Sequence, residues 1–146
     1  MTNAPSARPT GIHHVRLTVT DIARSKSFYE DVFGVHPVVD FSDRVDETGV
    51  REDPEKMFGG CAFAVGDQIL GLRPVAPAGD TFASTRVGLD HLSLAVATTA
   101  ELAAAAERLA ERGVAHGEIV ELTDMGIAIL SLQDPDDINL ELTAPL

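Results

Sequence analysis

The chain has 146 residues, enough for one domain with a proper core or for two small half-domains that share one, and its 45% hydrophobic and 23% charged residues are typical of a soluble globular protein. Its 11 Lys and Arg residues against 23 Asp and Glu residues give a formal net charge of −12, which argues against nucleic acid or an anionic membrane as the main partner. Cys61 is the only cysteine, so an intrachain disulfide and a thiolate zinc cluster are both excluded.

The N-terminal segment, residues 1–10, has no apolar core flanked by basic residues. No apolar run elsewhere in the sequence approaches the length needed to span a membrane. We therefore expect a cytoplasmic protein.

Two stretches of the sequence repeat one pattern. GIHHVRLTV at 11–19 and GLDHLSLAV at 88–96 both place a histidine at the mouth of an apolar strand. Each is followed by a helix-like segment, at 21–35 and at 98–114, and both segments end in Gly-Val. The chain is therefore predicted to contain one structural module twice.

Capping signals and apolar stripes support both helices. Asp21 is a plausible N-cap of the first helix, Thr98 and Glu101 form a capping box for the second, and Gly113 is its expected stop. The predicted buried sides are Ile22, Phe28, Val32 and Phe33 in the first helix, and Leu102, Ala105, Ala106 and Leu109 in the second.

Three short strand candidates follow each helix, at 36–41, 61–65 and 69–75 in the first half, and at 118–122, 126–132 and 138–144 in the second. Each half is thus predicted to be β-α-β-β-β, which makes the chain an α+β protein. We expect an N-terminal tail over 1–10, a first module over 11–75, a linker over 76–87 and a second module over 88–146. The acidic insert at 42–60 is either a lid or disordered.

Strand alternation separates the polar side chains from the apolar ones. Val15, Leu17 and Val19 share one face of the first strand, so His14 and Arg16 lie on the other. The same alternation puts His91 and Ser93 opposite the helix-facing side of their strand. In the last strand Glu141 alternates with leucines in the same way.

Two histidines and one carboxylate form a known metal-binding set. If the two sheets share a cleft, His14, His91 and Glu141 are directed into it, and this set suits non-heme Fe(II) as well as Zn(II), Mn(II) or Ni(II). Such a metal polarises two neighbouring substrate oxygens.

The other histidines are weaker candidates for metal binding. His13 is predicted to face the helix, and its partner in the repeat is Asp90, so it ranks below His14. His36 and His116 each follow a helix stop, where exposed turn residues are expected, and neither is assigned a role.

The stretches 12–35, 89–96 and 134–145 resemble the vicinal oxygen chelate superfamily, which includes glyoxalases, extradiol dioxygenases and bleomycin-resistance proteins. The resemblance implies two βαβββ modules that form a cupped, mostly antiparallel sheet around a metal-binding cleft. It puts His14, His91 and Glu141 at three of the four ligand positions of the family. The fourth position falls at Gly71, which has no side chain to bind a metal.

Further departures from the family concern the residues that transfer protons. Extradiol dioxygenases have a histidine and a tyrosine before the DP turn, whereas the only tyrosine here is Tyr29 in the first helix, and 118–133 contains no histidine. No catalytic acid or base is therefore assigned. Asp137 replaces the glycine that the family usually has after DPD.

The leading interpretation is a metal-dependent enzyme, glyoxalase-like or dioxygenase-like, acting on a small substrate with adjacent oxygens. Arg16 and Ser93 lie two residues beyond the histidines and are candidates for substrate contact. The alternative is a non-catalytic protein that binds a drug or metabolite, of the bleomycin-resistance type, for which the net charge suits a cationic ligand. The resemblance also implies a homodimer.

Overall fold

A computed structural model describes residues 4–146, so the first three residues of the expected tail lie outside the described part of the chain. The chain forms two compact units, one ending at Ala76 and the other running from Pro77 to Leu146. Each unit has one α-helix and one four-stranded sheet, which confirms the predicted α+β class and the β-α-β-β-β order of both halves.

In the first unit, β1 and α1 precede three consecutive strands. The bounds are β1 His14–Thr18, α1 Ile22–Phe33, β2 Pro37–Asp40, β3 Cys61–Val65 and β4 Gln68–Arg73.

The second unit repeats this order. Its bounds are β5 Leu92–Ala95, α2 Thr99–Glu111, β6 Val120–Leu122, β7 Ile127–Gln133 and β8 Asn139–Pro145. All six strands predicted after the helices are present, with ends that lie within two residues of the predicted ones.

The two sheets have the same topology. Their strand orders are β1-β4-β3-β2 and β5-β8-β7-β6. The first strand of each unit pairs in parallel with the last one, and all other neighbours are antiparallel. The repeat seen in the sequence is therefore a repeat of complete sheets.

Both helix starts are capped as predicted. The Asp21 side chain accepts a hydrogen bond from the backbone N–H of Arg24, and the Thr98 side chain accepts one from that of Glu101. The second helix ends at its C-cap Arg112, and Gly113 follows with φ 67°, the left-handed conformation that glycine tolerates best.

The buried side of α1 differs in part from the prediction. Ile22 is buried as expected, but Ser25 and Tyr29 are completely buried while Phe28 is only half-buried. The Tyr29 ring packs against Phe63 of β3, with 6.2 Å between centroids. In α2 the expected leucines and Ala105 are buried, and Ala106 is half-buried.

Alternation along the strands follows the prediction. In β1, Leu17 is 4% exposed whereas His14 and Arg16 are exposed. In β8, Leu140 and Leu142 are buried, and Glu141 between them is half-buried on the other face.

The acidic insert at 42–60 has a defined backbone. It forms short 3₁₀ turns at Ser42–Arg44 and Val50–Glu52 and a kinked segment over Pro54–Gly59 in which Met57 and Phe58 are not helical, and Val50 is 1% exposed. The disordered alternative is therefore wrong for this segment. Among residues 4–146, no helix has the length and apolar character required to cross a bilayer.

Candidate functional site

The second unit contains a cavity of about 430 Å³ at the start of β5 and β8. Two of the three predicted metal ligands, His91 and Glu141, line it. Asp90, His116, Ser131 and Asn139 also contribute to its walls. The cavity is therefore polar and rich in groups that can bind or transfer protons.

His91 is oriented by the residue before it. Its Nδ1 lies 2.6 Å from Oδ1 of Asp90, and because a carboxylate can only accept, Nδ1 carries the hydrogen. The neutral ring then has its lone pair on Nε2. The Asp90 hydrogen bond is also the main reason why the pKa of His91 is raised above its ordinary value, and the negative charge of Glu141 adds to the effect.

Glu141 lies on the other side of the His91 ring, where its Oε1 is 3.9 Å from Nε2. The Glu141 side chain is 16% exposed, against 46% for His91. Its orientation is set by Thr143, whose hydroxyl donates to Oε1 over 3.2 Å.

Ser93, a candidate for substrate contact, extends this network. Its Oγ is 2.5 Å from the Thr143 hydroxyl. Since the single hydroxyl hydrogen of Thr143 is given to Glu141, Ser93 is the donor in this contact. Ser93 therefore helps to position Glu141.

A tight turn between β7 and β8 fixes the register of Glu141. Asp134 is 4% exposed, and its Oδ1 accepts hydrogen bonds from the backbone N–H groups of Asp136 and Ile138. Asp137 has φ 61°, the left-handed conformation in which glycine is favoured. The turn places Glu141 opposite Ser131.

His14, the third predicted ligand, belongs to the first unit, where it begins β1 and is exposed. Its Nδ1 lies 3.0 Å from that of His13, and the two rings meet edge to face at 5.2 Å. His13 is also exposed, and it directly precedes the first residue of β1.

Gly71 in the first sheet is equivalent to Glu141 in the second sheet, as the pairing of the strands shows. Gly71 pairs with Arg16, as Glu141 pairs with Ser93. A Cβ atom on Gly71 would lie 3.4 Å from Cγ and from Nε of Arg16. The Arg16 side chain therefore lies over the position at which the family usually has a ligand.

The donor set of His91 and Glu141 suits a divalent cation. An imidazole nitrogen and a carboxylate oxygen are common ligands of Zn(II), Mn(II) and Fe(II), and Asp90 is the kind of hydrogen-bond partner that orients ligating histidines. Two ligands of one ion with bonds of about 2.1 Å lie about 3–3.5 Å apart, so a small shift of either side chain would close the pair. Within residues 4–146, neither unit by itself brings together three His, Cys, Asp or Glu side chains as a metal site.

His116 was assigned no role in the sequence, but it lines the same cavity as His91. Its Nδ1 is 2.8 Å from the Gly117 carbonyl, which can only accept, so its Nε2 is the free basic atom of the neutral ring. The segment is held at the edge of the sheet by a bridge to Leu132. This pairing spans 16 residues of sequence, and no local pattern signals it.

Two βαβββ units have the same strand order, and His14 and His91 occupy equivalent places at the start of the first strand of each unit. These features define a chain of the paired-module class. The sequence model of the glyoxalase/bleomycin resistance protein/dioxygenase superfamily matches residues 11–142. The chain belongs to this superfamily.

Solved structures with this fold cover nearly the whole chain. A glyoxylase/bleomycin resistance protein/dioxygenase domain from Frankia sp. EAN1pec is 29% identical, with a TM-score of 0.73 over 95% of this chain and 94% of that one. A complex of the fosfomycin resistance protein FosX from Listeria monocytogenes with Mn(II) and 1S,2S-dihydroxypropylphosphonic acid is 16% identical, with a TM-score of 0.70 over 95% of both chains.

A lactoylglutathione lyase from Agrobacterium tumefaciens has a TM-score of 0.64 at 17% identity, over 94% of this chain and 96% of that one. These distant structures share the fold. No curated protein sequence matches the chain significantly.

Proposed function

We propose that the protein is a metal-dependent enzyme of the vicinal oxygen chelate type, acting on a small substrate with adjacent oxygen atoms. His91 and Glu141 supply two ligands from the second unit. His14, at the equivalent strand position of the first unit, supplies the third ligand, from the same chain or from a second copy.

The observation that carries this proposal is the arrangement around the His91 ring. Asp90 fixes the hydrogen on Nδ1, and Nε2 and the Glu141 carboxylate are both left as electron-pair donors 3.9 Å apart. When the ring is neutral, no hydrogen lies between these two facing acceptors. A cation between them satisfies both.

The bound cation would act as a Lewis acid that polarises the substrate oxygens. The chain's own residues hold the ligands in place, since Thr143 donates to Glu141 and Asp90 orients His91. His116 has a free Nε2 in the cavity wall and is the residue that we propose moves a proton to or from the substrate.

The FosX complex supports Mn(II) as one candidate metal, because that protein has the same fold and is described with Mn(II) bound. Fe(II), Zn(II) and Ni(II) fit the same donors and stay within the proposal. A homodimer that binds a small molecule completes the proposal, as the family resemblance implies.

The test is metal binding by the full chain. Protein purified without chelator is analysed for metal, treated with EDTA and titrated with Mn(II), Fe(II), Zn(II) and Ni(II). We expect one site per chain, weakened at least about 100-fold by His91→Ala, Glu141→Gln or His14→Ala, which exceeds the usual effect of an outer-shell partner. His36→Ala is the matched control, because His36 is 85% exposed at the surface of the first unit.

Absence of a site, or a His91→Ala variant that binds metal like the wild type, would refute the proposal. Ligand binding that survives both EDTA and Glu141→Gln would instead favour the non-catalytic binding protein.

A further inference from the structure

One face of the first sheet carries two arginines around a glycine. Arg16 of β1 lies over Gly71 of β4, with its Cγ and Nε 3.4 Å from where a Cβ would stand. Arg73 is two residues further along β4, on the same face as Gly71 and paired with Thr18. Gly71 is buried, so the absence of its side chain is what gives Arg16 this space.

Arg73 is held in place by the insert at 42–60. Its guanidinium carbon lies 3.6 Å from the centre of the Phe58 ring, a stacking contact that leaves the edge of the guanidinium to other partners. Met57 and Phe58 both have positive φ, 48° and 58°, which is uncommon for residues other than glycine. The chain thus maintains a strained backbone at the residue that supports Arg73.

Hydrogen bonding around these arginines is incomplete. Nε of Arg73 is buried and has no hydrogen-bond partner. Within residues 4–146, neither Arg16 nor Arg73 forms an ion pair with a carboxylate, although acidic residues outnumber basic ones by 23 to 11. A buried donor without an acceptor is costly, so the chain itself leaves Arg73 incompletely satisfied.

We propose that Arg16 and Arg73 form a subsite for an anionic group of the substrate, a carboxylate or a phosphoryl or phosphonyl group. Guanidinium groups bind these oxyanions through paired N–H donors. The link to catalysis rests on the proposed function, because His14, the proposed ligand, lies on the same face of β1 as Arg16. Residues two apart on a strand are about 7 Å apart, so a compact substrate reaches both groups.

The charge of the subsite distinguishes between a cationic and an anionic ligand. The net charge of −12 favours a cation for the protein as a whole. Among residues 4–146, however, the two arginines of this face form no ion pair with a carboxylate. Local charge determines what binds at short range, because charges more than about 8–10 Å away are screened at physiological salt. The substrate is therefore an anion.

The experiment uses the full chain in EDTA, so that no metal can hold the probe. Inorganic phosphate and acetate are titrated separately, and binding is followed by NMR shifts of the backbone amides of Arg16, Gly71 and Arg73. We expect saturable shifts at these amides for at least one probe. Arg16→Gln and Arg73→Gln should each weaken binding at least about 5-fold, whereas Arg108→Gln on the exposed face of α2 should not change it.

Tighter binding of phosphate would assign the anion as phosphoryl-like, and tighter binding of acetate would assign a carboxylate. Shifts that do not saturate for either probe, or equal binding by Arg16→Gln and Arg108→Gln, would overturn the subsite. This anion titration excludes metal, so its result is independent of the metal titration proposed above. Saturable anion binding by a chain that binds no metal would refute only the proposed function. Metal binding by a chain that binds no anion would refute only the subsite.

Discussion

His91 lies between two carboxylates, with Asp90 2.6 Å from its Nδ1 and Glu141 3.9 Å from its Nε2. The contact with Asp90 is a hydrogen bond donated by Nδ1. In the contact with Glu141, by contrast, the neutral ring has no hydrogen on Nε2, so this nitrogen and the carboxylate are both acceptors. Asp90 is thus the residue through which the metal binding proposed for His91 can be altered without removing a proposed ligand.

Asp90→Asn should weaken metal binding about 10–100-fold while leaving the fold intact. The amide can still accept from Nδ1, but it lacks the charge that makes the imidazole a stronger ligand. Calorimetric titration of the EDTA-treated variant with Mn(II) or Zn(II) measures the change. Asp124→Asn is a control with the same change of charge at an exposed turn, and an equal loss in both variants would contradict the prediction.

The same substitution should lower the pKa of His91 in the metal-free protein. The Asp90 hydrogen bond favours the imidazolium, so the pKa of His91 is raised in the wild type and should fall towards its ordinary value when that charge is removed. Below the ordinary pKa of histidine this interaction stabilises the fold, and the contribution is lost as pH rises through the raised pKa. NMR titration of the His91 ring protons measures both variants, and an unchanged pKa would show that Asp90 is not the cause.

Gly71→Glu should give the first unit the same pair of metal-binding side chains, a histidine and a glutamate, that the second unit has. Gly71 pairs with Arg16 as Glu141 pairs with Ser93, so a glutamate there would stand relative to His14 as Glu141 stands relative to His91. The atoms nearest to the new Cβ belong to the flexible side chain of Arg16, at 3.4 Å, so this side chain is the first that has to move. We expect a folded protein with at least about 10-fold tighter metal binding and loss of phosphate binding.

Gly71→Gln is the control for Gly71→Glu, because glutamine has nearly the same volume as glutamate but no charge. It should displace Arg16 in the same way and weaken anion binding, but it should raise metal affinity less than the glutamate does. Metal titration of the two variants side by side makes the comparison. Equal affinities in Gly71→Glu and the wild type would mean that position 71 does not face the metal.

The sequence was sufficient to predict the strand face on which each candidate site residue lies, because burial alternates along a strand. His14, Arg16 and Glu141 all lie opposite their leucines, and this requires only a period of two. Tyr29 was not among the residues predicted for the buried side of the first helix. Its ring is buried between Phe33 and Phe63, and the second of these contacts joins distant segments.

Contacts between distant segments also explain what else the sequence did not reveal. The cavity wall at His116 depends on its pairing with Leu132, and the stacking of Phe58 on Arg73 depends on how the insert folds back on β4. His116 and Phe58 both lie in segments whose composition indicates turns. Which side chains such turns bring to a strand is determined by packing and not by a local period.

Asp137→Gly should stabilise the protein by about 0.5–1 kcal/mol. Asp137 has φ 61°, where a side chain is unfavourable and glycine is not, and the turn hydrogen bonds are made by Asp134 and by backbone groups. Urea unfolding followed by circular dichroism measures the free energy of unfolding. Asp137→Ala is the control and should be destabilising, because alanine cannot relieve the left-handed strain; stabilisation by both variants would contradict this account.

Cys61 should be unreactive in the folded protein and should make stability fall at alkaline pH. Its side chain is completely buried in β3, and burial raises the pKa of its thiol from 9.0 to about 12. Between these values the unfolded thiol loses its proton while the folded one keeps it. The free energy of unfolding therefore falls by up to about 1.4 kcal/mol for each pH unit above 9.

Urea unfolding of wild type and Cys61→Ala at several pH values between 8 and 10.5 separates this effect from other titrations. The stability advantage of the wild type over Cys61→Ala should shrink as pH rises, since alanine has no proton to lose. Reaction with a disulfide reagent should be at least about 100-fold slower in the native protein than in urea, because only an exposed thiolate attacks it. A native thiol that reacts as fast as the unfolded one would show that β3 opens readily at this position.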